Sequence, residues 1–176
     1  MVFFVDAAHF VFKAYLGFLW CFARVIIRSP SGRKRYNVLG ALHAITHQLI
    51  TVTNETYITA ESVCELLQKI AALGIQVPIT IILDNTRYQR CAKVMETAAA
   101  LQIELLFLPP YSPNLNLIER LWRFVKKQCL YAKYYENFEQ FKHALEACFA
   151  ETEGLHKEEL TSLFSLKFQS FKNITL

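Results

Sequence analysis

The chain has no two cysteines spaced as CxxC, and its cysteine count is odd. The five stand at Cys21, Cys64, Cys91, Cys129 and Cys148. That excludes a disulfide framework or a zinc site and fits reduced, mostly buried thiols in a cytosolic protein. Charge is scarce: 19% of residues are Asp, Glu, Lys or Arg, against 53% hydrophobic. A disordered chain is thereby excluded. No uncharged apolar run is long enough for a bilayer. Phe10 to Ile27 is apolar, but Lys13 and Arg24 interrupt it, and the stretch between them falls short of a core of ~30 Å. No basic segment precedes it, which argues against a signal peptide. Repeats, low-complexity tracts and linkers are absent, so the 176 residues read as one domain with one core. What is present is an aromatic share of 14% and a net charge of +4 with a pI near 8.8. That balance permits a nucleic-acid partner without requiring one.

The first third reads as strands joined by turns. Val2 to Val5 is a short apolar run ending at Asp6, and Trp20 to Ile27 is a second extended stretch. Ser29 to Gly32 has turn chemistry. Tyr36 to Ile45 and Gln48 to Thr53 follow as strands. The period then changes. Val63, Leu66, Leu67 and Ile70 are spaced for a helix over Ala60 to Leu73, with Gly74 as its C-cap. Ile79 to Leu83 is a β-branched run that ends at Asp84 and reads as a buried strand. A helix over Tyr88 to Leu101 and a strand over Ile103 to Leu108 come next. Ser112 is placed to cap a helix that has Pro113 in its first turn and runs to Cys129. A last helix covers Phe138 to Ala150. This order predicts an α/β sheet of mixed direction, antiparallel first and then parallel, flanked by helices.

Asp6 and Asp84 share one property: each directly follows an apolar strand run. Carboxylates at strand ends are rigidly held yet face a crevice. If the two strands are neighbours the anions repel unless a cation lies between them, and Mg²⁺ favours one or two such oxygens plus phosphate. Glu119 borders the buried stripe of Ile118, Leu121, Trp122 and Val125, so it can point toward the strand ends. Each residue also has a plainer reading. A lone Asp after a strand is commonly a turn residue, and Glu119 can pair with Arg123 one helical turn on.

Four blocks of local sequence bear on that choice. They are Phe4 to Phe10 (FVDAAHF), Arg33 to Leu42 (RKRYNVLGAL), Ile82 to Asn85 (ILDN) and Leu108 to Trp122 (LPPYSPNLNLIERLW). Together they resemble the catalytic domain of the mariner-like superfamily of DDE transposases, in its bacterial insertion-sequence branch. Asp84 and Glu119 are separated by 34 residues, the spacing of that branch. The resemblance covers Val2 to Ala150 and implies an RNase H-like catalytic domain over 1–150, with 151–176 as an extension of it. It implies Asp6, Asp84 and Glu119 as the catalytic, metal-binding triad. It also implies two Mg²⁺ ions, replaceable by Mn²⁺, and cut-and-paste transposition by strand cleavage and 3′-hydroxyl transfer. The implied partners are element ends and a TA-containing target, engaged by a dimer or larger assembly on the nucleoid, in the bacterial cytoplasm and away from membranes.

Two departures stand out. Ala7 replaces an acidic residue common in relatives. Met1 abuts the first catalytic strand, so the helix-turn-helix region of relatives is expected to be absent here and encoded separately. A truncated, non-catalytic fragment that dimerises with full-length transposase and modulates it is the rival expectation. Around the triad, His9, Asn85 and Asn116 are candidates for contact with the site or its bound water. Arg33, Lys34 and Arg35, and the helix cations Arg120, Arg123 and Lys127, are candidates for DNA phosphate contact. His43 and His47, four apart in a strand-and-turn region, read as structural. So do Trp20 and Trp122.

Overall fold

A computed structural model describes residues 1–12, 34–110, 112–131 and 133–166. The extended stretch expected at Trp20 to Ile27, the following turn, Arg33 and Tyr111 lie outside the described residues. Five strands form one sheet: β1 (Val2–Val11), β2 (Arg35–His43), β3 (Leu49–Asn54), β4 (Ile79–Leu83) and β5 (Ile103–Phe107). Their order across the sheet is β3-β2-β1-β4-β5. β1, β2 and β3 pair antiparallel, while β1, β4 and β5 pair parallel. This is the mixed sheet that the change of period predicts.

Alternation along β1 divides the core in two. Phe4, Ala8 and Phe10 face one layer, built with α3 (Ile118–Cys129), α4 (Phe138–Ala150) and α5 (Lys157–Leu163). Phe3 and Val5 face the other, built with α1 (Ala60–Ala71) and α2 (Ala92–Ala100). Among the described residues no helix is long and apolar enough to cross a membrane. Phe10 is fully buried and meets the rings of Trp122 and Phe149 at 6.2 and 6.0 Å. Phe10→Ala is expected to cost about 3–5 kcal/mol in urea unfolding, because this layer cannot collapse onto the void.

Three boundaries differ from the sequence expectation. β1 does not end at Val5 but runs on to Val11, because β2 continues to pair with it after β4 has left. The expected helix from Tyr88 begins only at Ala92; Gln89 and Arg90 donate their amides to the Thr86 carbonyl in a turn. Ser112 does not cap a helix. A single 3₁₀ turn over Pro113–Leu115 precedes α3, whose first residue is Ile118. Gly74 stands three residues beyond the end of α1, in the left-handed region at φ 65°, where glycine is favoured.

Candidate active site

The parallel ladder of β1 and β4 ends at the pair Val5 and Leu83. Asp6 and Asp84 are the next residues on each chain. They therefore stand side by side where β4 departs, both on the α3 face by alternation from Phe4 and Ile82. α3 starts just beyond them. Asn116 is 1% exposed and links the three segments: its Nδ2 donates to the Val5 carbonyl at 3.1 Å and to Asp84 Oδ1 at 3.5 Å. Glu119 lies in the first turn of α3, the end of a helix that favours a negative charge. Asp6 Oδ2 accepts the indole N–H of Trp122 at 3.1 Å.

The charges of these groups are felt mutually. Burial, then Glu119, then Asp84 push the Asp6 carboxyl up to about 7, against the Ala7 amide and the Trp122 indole, which favour the anion. Burial and Asp84 also raise Glu119, while Lys126 and Arg123 oppose them. Glu119 forms no ion pair with Arg123, so the plainer reading of that spacing is not realised. Among the described residues no three His, Cys, Asp or Glu side chains are grouped closely enough to hold one ion. A divalent cation would take one or two of these carboxylates, the number Mg²⁺ favours. The donor set fits such an ion: repelling oxygens of hard character, beside Asn116 Oδ1, a buried acceptor with no donor. A metal-bound water would supply one.

The remaining candidates are distributed unevenly. His9 does not join the site. Three residues beyond Asp6 on the same strand, it takes the opposite face, is exposed, and its Nδ1 meets Asn37 Oδ1 at 2.7 Å. Asn85 is exposed beside Asp84, and its Oδ1 accepts from Arg90 at 3.0 Å. Both asparagine and aspartate line a cleft of about 280 Å³ with Thr86, Pro109, Ser112 and Pro113. Lys34 and Arg35 are not at the site. Arg35 pairs with Val11, five positions along β1 from Asp6, or roughly 16 Å at ~3.3 Å per residue. Their cations lie over the rings of Phe138 and Tyr57, each at 5.4 Å. His43 ends β2, and its Nδ1 accepts the Thr46 amide of the following turn at 2.8 Å.

Arg120, Arg123 and Lys127 do come together, lining a cleft of about 570 Å³ between α3 and α5. Arg120 is also structural: it donates to the carbonyls of Leu163 at 2.9 Å and Ser165 at 2.6 Å. Arg120→Ala is expected to loosen the end of α5 by about 1–2 kcal/mol, read as faster amide exchange there than in α4.

The mixed sheet thus presents Asp6 and Asp84 where two parallel strands part, with Glu119 on the helix beyond them. Residues 1–142 match the DDE superfamily endonuclease family, and the chain belongs to it. No curated protein matches it in sequence. Among solved structures, a chain of the simian T-cell lymphotropic virus intasome in complex with PP2A regulatory subunit B56 gamma is 18% identical with TM-score 0.62, over 99% of this chain and 59% of that one. The Mos1 mariner paired end complex with Mn is 16% identical with TM-score 0.67, over 93% of this chain and 53% of that one. The HTLV-2 integrase catalytic core domain in complex with magnesium is 15% identical with TM-score 0.57, over 88% and 86%. The fold is thus the RNase H-like fold of integrases and transposases. This chain spans little more than half the length of the intasome and Mos1 chains.

Proposed function

We propose that this chain is the catalytic domain of a cut-and-paste DNA transposase of the mariner-like superfamily, from a bacterial insertion sequence. Its reaction is hydrolysis of a strand at an element end, then attack of the freed 3′-hydroxyl on target DNA. The observation that carries this is the register: Val5 opposite Leu83 sets Asp6 and Asp84 side by side, with Glu119 above them on α3. Asp6, Asp84 and Glu119 would hold two Mg²⁺ or Mn²⁺ ions. Divalent cations in such a site activate the attacking oxygen and stabilise the leaving oxygen of an in-line displacement at phosphorus.

The protein's own part is placement. The strands hold Asp6 and Asp84 rigidly at the point of divergence. Asn116 ties Asp84 to the β1 backbone, and its unpaired Oδ1 is available to a bound water. Arg123 and Lys127, on the exposed side of α3, are set to contact phosphates flanking the cut. No side chain need become covalently attached to DNA. The substrates would be element ends and a TA-containing target, and joining two ends calls for a homodimer or larger assembly. A helix-turn-helix module would supply end recognition, on the nucleoid in the cytoplasm. The presence of Mn and magnesium in the Mos1 and HTLV-2 structures supports the choice of ions.

The test is joining of a precut, 3′-hydroxyl-ended oligonucleotide to supercoiled plasmid. Products that appear with Mg²⁺ or Mn²⁺ and vanish with EDTA are expected. A folded protein that binds DNA but yields no joined or nicked product with either ion contradicts the enzyme reading and favours the modulating fragment.

A further inference from the structure

Trp122 is 1% exposed and lies over β2 at Gly40, the residue that pairs with Asp6. A Cβ built on Gly40 would stand 2.7 Å from Cη2 of that indole and 2.9 Å from Ile118 Cδ1. Neither approach is possible without moving the indole and the Ile118 side chain. Gly40 has no left-handed backbone to explain it, so space, not conformation, calls for glycine there. Seated in that space, the indole directs its N–H to Asp6 Oδ2 at 3.1 Å. An indole N–H can donate but can neither accept nor ligate a cation. It engages one oxygen of the carboxylate and, together with the Ala7 amide that the group also accepts, limits its rotation.

We propose that Trp122, seated by the absence of a side chain at Gly40, is the positioning residue for Asp6, holding Oδ2 and so fixing how the carboxylate is presented to the divalent cation. This rests on reading the carboxylates as a cation site. A Trp that served only as core would make the same ring contacts with Phe10 and Phe149, but its N–H would not respond to the ion.

The full chain labelled with ¹⁵N-tryptophan gives two indole signals, Trp20 and Trp122, assigned with Trp20→Phe. On Mg²⁺ titration the Trp122 N–H signal is expected to move saturably in wild type and not in Asp84→Asn. In calorimetry, Trp122→Phe, which keeps an aromatic ring and loses the N–H, should bind Mg²⁺ about 10–100-fold more weakly. Gly40→Ala should weaken binding in the same direction. Wild-type affinity in a folded Trp122→Phe, or an indole signal unmoved while Mg²⁺ binds, overturns the positioning role and leaves the cation site standing. If Trp122→Phe does not fold, the wild-type indole signal alone decides. Absence of Mg²⁺ binding in wild type, or binding indifferent to Asp84→Asn, overturns the cation site and the positioning role together.

Discussion

Asp84→Asn is expected to lower metal-dependent DNA nicking by at least about 100-fold while leaving the fold intact. The amide has the shape of the carboxylate and keeps an oxygen for Asn116 Nδ2, 3.5 Å away in the wild type. What it loses is charge. Replacing an anionic ligand removes several kcal/mol of the stabilisation that a metal centre gives to charge in the transition state, and ~3 kcal/mol is already ~100-fold. Asp6→Asn should behave alike, because its amide oxygen can still accept the Trp122 N–H. Both are measured as the initial rate of plasmid nicking, with circular dichroism to check the fold. A loss below about fivefold in either variant would remove that residue from the centre.

The second large effect is on stability, with the sign set by Asp6. Its carboxyl titrates near 7 in the folded chain against a model-peptide value of 3.8, chiefly through burial and then the charges of Glu119 and Asp84. The folded state therefore binds this proton more tightly than the unfolded one. The resulting stability is fully present below pH ~4 and is lost as pH rises through ~7. Over that window the loss is on the order of 4 kcal/mol, or roughly 10 °C in Tm for a chain of this size. Glu119, raised by burial and by Asp84, adds to it in the same direction. The measurement is Tm against pH at fixed ionic strength in EDTA. Asp6→Asn should flatten the fall relative to wild type, and Mg²⁺ should restore wild-type stability at pH 8. Parallel curves for the two proteins would contradict the burial and repulsion argument.

The site was partly legible in the chain itself. Asp84 stands out because a β-branched run stops at it, and that run is β4. Glu119 stands out because it borders a helical stripe whose members Ile118, Leu121, Trp122 and Val125 are all buried. Two things hid the rest. A polar residue at position 6 reads as the end of a strand, yet β1 continues five residues further, paired to β2. That continuation puts His9 on the far face, which no count of residues from Asp6 reveals without the true strand length. The start of α3 was hidden as well: the side chain of Asn116 reaches the Val5 carbonyl, 111 residues away in sequence, and the helix begins only after it. Long-range pairings of that kind leave no local periodicity. The same holds for Trp122. Its place in the core follows from helical spacing, but its bond to Asp6 depends on a glycine in a third segment.

We propose that Asp6, Asp84 and Glu119 together form a divalent-cation centre. The most direct measurement is anomalous scattering from crystals grown or soaked with Mn²⁺. Mn²⁺ is expected against Asp6 and Asp84, with Glu119 drawn to the same centre and Asn116 Oδ1 within reach of a bound water. Mn²⁺ bound elsewhere, or none at these carboxylates at a concentration that supports DNA nicking, would contradict it.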